Sequence, residues 1–502
     1  MNFLKSHVLV NGLMDRVGLD SATSHRQSPL HPVSGVVLGV TALLWGVILA
    51  VNAPGQLSYD SVVQLNEGRT ATYLSMHPPL MSAVMGLADR VIPGTALYLA
   101  LSSALFFGAL ALLINRTARP LPTMALTIAA CLTPPVLVYQ GIVWKDVLFA
   151  NLAVLAFATL ETFGAPPKGR RYIAYGIACL LAALAALVRQ NGFVVILFVA
   201  LAIGWKEYVR VASAKLAIKA LRTVGAVLCA VFFSLGACSL SNGLIRVTAV
   251  KQQSVVGLGL LVLAKYDISG IIARETDIDL SILAERGVDT AKFQDAVRQS
   301  YTAERLDNPL NPHSSEIAAA GFSHLSPAEI TQLWQQLILS HTRAYLAHRM
   351  AVFAWLMAPP EPGRCLPVHI GIYGPEDLVH SLGLKEGVRP SDQALYNYST
   401  HYFGGPLMNP TFYVVVAVLL IAYLLWRPIE GSAVMICMLL SALAFVGSYL
   451  VIGIACDFRY VYFLVAATIS VFLYGAARIP VPNPFKGHPK RGDQANSPRQ
   501  ID

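Results

Sequence analysis

Ten long apolar runs divide this chain, at 35–52, 94–114, 121–139, 146–163, 172–188, 191–206, 220–240, 411–426, 432–453 and 459–477. A bilayer core asks for about 17–25 mostly apolar residues per helical span. No water is available there to satisfy backbone groups, so such runs are confined to helices that bond within themselves. The pattern predicts an all-α polytopic membrane protein with about ten transmembrane helices. Composition agrees: hydrophobic residues make up 55% of 502 positions, charged residues 13%, and mean hydropathy is +0.57. A soluble fold would have nowhere to hide that much apolar surface.

The basic residues set the sides. "NRTARP" (115–120), "APPKGRR" (165–171), "KEYVRVASAKLAIKALR" (206–222) and the tail from Arg478 through Arg499 carry most of them. Short Lys/Arg-rich connections stay cytoplasmic. With ten spans all four segments fall on one side, and 53–93, 140–145, 189–190, 241–410 and 454–458 face outward. The net charge of +9 is therefore read as membrane topology, with no nucleic-acid partner. The expected organisation is a cytoplasmic segment 1–34, an N-terminal transmembrane module 35–240 with its first outer loop at 53–93, an outer segment 241–410, a C-terminal transmembrane module 411–477 and a disordered cytoplasmic tail 478–502. No cleavage site follows the first run, so it is expected to stay attached.

Three other apolar stretches do not fit a plain span. "HPPLMSAVMGLADRVIPG" (77–94) is short, and 254–272 is broken by Lys265 and Asp267. These two and 342–358 are expected to lie along the outer face as interfacial or re-entrant helices. If 254–272 and 342–358 both cross, the count becomes twelve. The outer segment is expected to be helical early and loop-like late. Most of the seven cysteines lie in apolar runs and suit core packing; a bond between Cys365 and Cys456 is open to the chain if both face an oxidising compartment.

Charge beside a span is costly and asks for a partner or a task. Asp60, His77, Lys145, Asp146, Arg189, Asp457 and Arg459 all lie at outer span ends or in outer loops. In "SYDSVVQLNEG", Ser61 and Gln64 have capping-box spacing, so a short helix is expected to begin at Asp60 and end at Gly68. Asp60 then either favours the helix dipole or accepts a proton from an incoming hydroxyl or amine. Glu67 and Arg69 read as a solvated face. His77, held extended by Pro78 and Pro79, is either an interfacial histidine or a contact for phosphate or sugar. Lys145 and Asp146 in "VWKDVLF" suit an adjacent ion pair, or a lysine that binds phosphate. Arg189 in "LVRQNGF" could snorkel. Tyr460 and Tyr462 suit an aromatic belt, which leaves Arg459 and Asp457 unexplained. No Walker-A, HExxH or GxSxG sequence is present, and the scattered histidines lack metal-ligand spacing.

In their order and common side, "PGQLSYDSVVQL", "MHPPL", "WKDVLFA", "RQNGF" and "DFRYVYFL" resemble the GT-C superfamily of polyprenyl-phosphate-dependent glycosyltransferases, and more narrowly an uncharacterised bacterial membrane family near it. The resemblance implies a GT-C-like fold in a bacterial inner membrane with its site facing the periplasm. A polyprenyl-phosphate-linked sugar would be the donor, and a glycan, lipid or protein the acceptor. Asp60 would be the general base of an inverting transfer. Lys145, Arg189 and Arg459 would hold the donor phosphate, and His77, Asp146, Asp457 and Tyr460 would contact substrate. Many superfamily members carry two adjacent acidic residues in this loop, whereas Ser61 follows Asp60 here, so no metal ligands are assigned and a divalent cation stays open. Two other classes are consistent with outer charges: a transporter or flippase of a lipid-linked or anionic solute, which would place polar residues mid-span, and an O-antigen polymerase or ligase with a large outer loop.

Overall fold

The computed structural model describes residues 34–478 apart from 76, 118, 165–167, 212, 253–254, 312 and 314; the expected segments 1–34 and 478–502 lie outside the described residues save for Ser34 and Arg478. Helix α1 (Gly35–Asn52) leads into a loop holding α2 (Tyr59–Thr70) and α3 (Pro79–Val91). Then come α4 (Ala96–Ile114), α5 (Pro120–Leu132), α6 (Lys145–Phe163), α7 (Lys168–Val188), α8 (Phe193–Arg210) and α9 (Leu216–Thr248). The next segment holds α10 (Val255–Ile272), α11 (Thr290–Ser300), α12 (Glu316–Ser323), α13 (Pro327–Ser340), α14 (Thr342–Met357) and α15 (Pro390–Thr400). Helices α16 (Pro410–Trp426), α17 (Ser432–Ile452) and α18 (Tyr462–Arg478) follow.

The chain is an all-α polytopic membrane protein. Among the described residues, seven helices are long and apolar enough to cross: α1, α4, α6, α7, α9, α17 and α18 with its lead-in from Phe458. The expected span 121–139 is broken instead, because Pro134 and Pro135 turn the chain by 70° after α5, and the bent pair counts as an eighth. The other two expected spans are α16, at 17 residues, and α8, whose last turn carries Lys206, Glu207 and Arg210. Helix α6 is apolar on every side between its ends and is accordingly buried on every side. Phe149 stacks on Phe445 at 4.5 Å and meets Phe463 edge-on at 5.2 Å. This central column delivers Lys145 and Asp146 to one end of the bundle and Glu161 to the other.

The basic connectors do share an end. Lys206 and Arg478 lie 3.4 and 3.6 Å from Glu161, Arg116 lies 3.3 Å from Glu430, and the amide of Ser34 donates to Asn115 Oδ1 at 2.8 Å. The opposite end gathers the first loop and the 241–410 segment. There β1 (Thr72–Tyr73) pairs in parallel with β2 (Lys251–Gln252). Gln56 reaches the late part of that segment, its Nε2 donating to Asp392 Oδ1 at 2.9 Å and its Oε1 accepting from Gly371 N at 2.6 Å. Cys365 and Cys456 form a disulfide, which ties the segment to the turn before α18 and suits an oxidising compartment.

As expected, the segment is helical early and loop-like late. Helices α10 to α14 enclose their own core around Ile268, Phe293, Phe322 and Leu333. Asp267, which breaks the hydropathy of α10, pairs with His348 and Arg349 of α14.

The first loop departs from its local sequence signals. The expected capping box does not form: Ser58 is the N-cap, and Ser61 Oγ donates to Val143 O at 2.5 Å. Gly68 does not end α2, which runs to Thr70 and stops at Ala71, where φ is +54°. Gly68 instead lies against Gly86 of α3, so closely that a Cβ on it would sit 2.0 Å from Ser82 O. This crossing turns Glu67 inward, contrary to a solvated face, whereas Arg69 stays exposed as expected. Glu67, 4% exposed, accepts from the amides of Leu74 and Ser75 and from Ser82 Oγ, and Arg69 grips Asp89 with two nitrogens at 2.6 and 2.9 Å. Each inward group is satisfied, so α2 and α3 form one rigid pair carrying Asp60.

Candidate active site

The eight residues singled out in the sequence converge at the end away from the basic connectors. Asp60 opens α2, His77 precedes the Pro78–Pro79 start of α3, and Lys145 and Asp146 open α6. Arg189 follows α7, while Asp457, Arg459 and Tyr460 occupy the turn before α18.

Asp60 Oδ2 accepts from Arg459 Nη1 at 2.8 Å, and Oδ1 lies 3.6 Å from His77 Nε2, a distance at which the coupling is electrostatic and not a hydrogen bond. Lys145 Nζ donates to His77 Nδ1 at 2.7 Å. An ammonium only donates, so Nδ1 accepts and the ring proton is assigned to Nε2, facing Asp60. Among the described residues Lys145 makes no ion pair with a carboxylate. It does not pair with Asp146 as expected, because successive helical positions point about 100° apart. Asp146 turns instead to Arg189, with Nη1 3.0 Å from Oδ1 in an alignment that makes an ion pair without a hydrogen bond. Arg189 donates to Tyr449 OH, and its guanidinium lies 5.2 Å from the Tyr460 ring, which stacks on Tyr449 at 5.0 Å.

Asp457 accepts from Arg459 Nε at 3.1 Å and from Arg305 Nη2 at 2.8 Å. Arg459 also lies 5.0 Å from the Trp144 ring, so a carboxylate on each side and two aromatic faces fix one guanidinium. The expected aromatic belt is absent here, since Tyr460 and Tyr462 are 7% and 1% exposed and belong to the core.

Exposure sorts the roles. The Asp60 side chain keeps 28% of its surface, whereas Asp146 and Asp457 keep 2% each. Only Asp60 among the three carboxylates can meet an incoming molecule; the other two hold arginines. Burial pushes the Asp60 carboxyl up, but Arg459, His77 and Lys145 together outweigh it and keep it well below the usual carboxylate range. Burial and then Lys145 push His77 below its ordinary value, against the pull of Asp60, so the ring is neutral.

The sequence reading missed Arg305, Tyr449 and Trp144. Arg305 stands in a hydrophilic stretch where charge is ordinary, and Tyr449 lies in an apolar run where an aromatic attracts no notice. Trp144 immediately precedes Lys145 and was within reach of the same motif.

Among the described residues, no three His, Cys, Asp or Glu side chains converge as a metal-ligand set. Arg459 occupies both Asp60 and Asp457. Paired in this way, these residues do not fit a resident divalent cation.

No protein-family model and no curated protein matches the sequence. Among solved structures, the chain is similar to the oligosaccharyltransferase AglB from Archaeoglobus fulgidus, determined with an inhibitory peptide and a dolichol-phosphate, at 11% identity and a TM-score of 0.39 over 87% of this chain. It spans half of that enzyme's length. It is also similar to ArnT from Cupriavidus metallidurans, at 16% identity and a TM-score of 0.31 over 88% of this chain and 77% of that one. ArnT bound to undecaprenyl phosphate gives 14% identity and a TM-score of 0.29.

Proposed function

We propose that this chain is a membrane glycosyltransferase of the GT-C kind, moving a sugar from a polyprenyl-phosphate carrier to an acceptor on the periplasmic face of a bacterial inner membrane. The observation that carries this is the placement of His77 between a partly exposed carboxylate, Asp60, and an ammonium without a carboxylate partner, Lys145. One ring holds a base and a phosphate-seeking cation a few ångströms apart. Basic residues massed at the other end and a disulfide at this one both favour a periplasmic site.

The acceptor hydroxyl or amine meets Asp60 from the open side. As its oxygen or nitrogen bonds to the anomeric carbon, its proton passes to Asp60, and the bond from that carbon to the carrier phosphate breaks on the opposite face, inverting the centre. The electron pair leaves with the phosphate. Lys145 is the first cation available to it, with Arg189 and Arg459 behind; fixed cations near developing negative charge are worth most in a partly desolvated site. A carboxylate held below its usual range is a weak base in the ground state. It gains strength at the moment that counts, since the attacking group becomes acidic as it bonds to the sugar. His77 orients Asp60, while Asp146, Asp457 and Tyr460 position the arginines.

The test is transfer of label from a mixture of polyprenyl-phosphate sugars in membranes carrying the wild type or Asp60→Asn, both folded to the same level. Loss in the variant alone is expected. Equal transfer in both removes Asp60 from the chemistry, and no transfer from the wild type transfers the weight to a carrier of lipid-linked solutes.

A further inference from the structure

The basic end of the bundle holds a second candidate site that the glycosyl transfer does not use. A cavity of about 640 Å³ opens between α7, α8 and α9, lined at its polar end by Arg171, Glu207 and Arg222 and deeper by Cys179, Ala230 and Phe233. Arg171 to Cys179 is eight helical residues, about 12 Å of depth from charge to apolar floor. This is the profile of an amphiphile, not of a soluble metabolite.

The charges are unbalanced toward cation. Arg171 and Arg210 both turn to Glu207, Arg171 Nε lying 3.7 Å away and Arg210 within hydrogen-bond reach. Arg222, which lines the cavity, makes no ion pair among the described residues. Two arginines thus share one carboxylate, and Arg222 has none. Arg171 is the informative one: arginines at a membrane surface ordinarily snorkel to water, whereas this side chain is only 9% exposed, lies 4.6 Å over the Tyr172 ring, and its Nε has no hydrogen-bond partner. Its Nη2 donates to Tyr172 OH at 2.8 Å and its Nε meets Glu207 only at ion-pair distance, so the positive charge that Arg171 and Arg222 bring to the cavity is not matched by Glu207, which Arg210 also engages. Tyr172 and Phe233 also line the cavity and are more than half exposed on helix faces crowded with exposed Ile173, Ile177 and Phe232. Such a face is covered by lipid, so the occupant arrives from the bilayer.

We infer that this cavity binds an anionic glycerophospholipid, its phosphodiester against Arg171 and Arg222 and its upper acyl carbons along α7 and α9. Basic pockets between spans on the cytoplasmic side hold such headgroups, and the volume lies in the usual range for ligand sites, roughly 300–1,000 Å³.

The experiment is native mass spectrometry of the purified full-length protein in detergent, titrated separately with phosphatidylglycerol, phosphatidylcholine, undecaprenyl phosphate and inorganic phosphate. Phosphatidylglycerol is expected to bind at least about fivefold more tightly than phosphatidylcholine, and Arg222→Gln, an exposed change that threatens no packing, to weaken it by about fivefold. Gly225→Phe removes no charge and places its ring where a Cβ meets nothing within 4 Å; it is expected to abolish binding by filling the cavity. Equal adducts of the two phospholipids, or binding unchanged in both variants, overturns the inference. Tighter binding of undecaprenyl phosphate reassigns the cavity to the carrier, and displacement by inorganic phosphate makes it a free-anion site; either overturns the glycerophospholipid. Neither variant touches the Asp60 network, so failure of the transfer reading leaves this result standing.

Discussion

The cluster around Asp60 and the cluster around Asp267 are made of the same residue types, an aspartate beside a histidine and an arginine, yet they are built for different ends. Asp267 lies 3.2 Å from His348 Nε2, pairs with Arg349 and accepts from Trp334 Nε1 at 2.8 Å. Tyr301 OH lies 2.8 Å from His348 Nδ1, and Arg349 Nη1 donates to Gly453 O at 2.8 Å. The side chains of Asp267, His348 and Arg349 are 0%, 0% and 3% exposed. All the side chains in this cluster come from one segment, and it pins that segment to the residues leading into Cys456 and Asp457. The Asp60 cluster draws on the first loop, α6, the turn after α7 and the turn before α18, and leaves one carboxylate edge open and one ammonium without a carboxylate. Residue type therefore does not separate a structural knot from a reactive site. Access and an unmatched cation do.

The sharpest way to break this contrast is to neutralise both aspartates. Asp60→Asn is expected to lower transfer by about 10²–10⁴-fold, the range for removal of a general base, with little change in melting temperature. Asp267→Asn is expected to leave Arg349 buried and uncompensated, at a cost of about 3–5 kcal/mol, with transfer per folded molecule unchanged. An Asp267→Asn protein that melts normally and has lost transfer would erase the distinction. Lys145→Gln comes next: loss of a fixed charge-stabilising donor is expected to cost about 10²-fold in kcat, with KM for the lipid donor nearly constant, and a change confined to KM would make Lys145 a binding residue only. Smaller again is Gly68→Ala, whose Cβ would meet Ser82 O at 2.0 Å and prise α2 from α3. Overpacking of that kind is expected to cost roughly 1–3 kcal/mol in a thermal melt and to reduce transfer several-fold by moving Asp60; wild-type transfer would show that the crossing does not position the base.

The legibility of the Asp60 cluster has a physical cause. In a chain this apolar each charge near a span is expensive, so those that remain are few, and their common side could be read before any fold was known. The same logic fails for Arg305, because the 274–341 stretch is hydrophilic and one more arginine carries no signal. It fails for Glu67 as well. Its local helix carries few apolar residues and no clear apolar face, and the crossing of Gly68 with Gly86 buries it; Ser82 and Gly86, a small-residue pair four apart, are the available hint. The break after α5 is written in Pro134 and Pro135, but the apolar run around them masks it. Spacing speaks about one element at a time, whereas burial of Asp146, Asp457 and Tyr460 depends on which elements meet.

Acid separates the two histidines by the least effect and the cleanest sign. Burial pushes both His77 and His348 below the ordinary value of about 6.5. Between that value and each folded one, the unfolded chain binds more protons than the folded chain, so stability rises with pH across that window and is lost as pH falls through it. Below both values no further loss comes from these groups. In stability the two rings thus act alike. In transfer they should not, since a proton on His77 Nδ1 would face the Lys145 ammonium and break the one hydrogen bond that positions it, while Asp60 stays ionised through the same range. The acid limb of kcat/KM is therefore expected to fall below about pH 6.5, and His77→Gln, which keeps an acceptor for Lys145 but does not titrate there, to shift that limb to lower pH. His348→Gln should flatten the acid loss of stability and leave the limb where it was. If the limb instead follows His348, the sealed cluster is part of the chemistry and access is the wrong criterion.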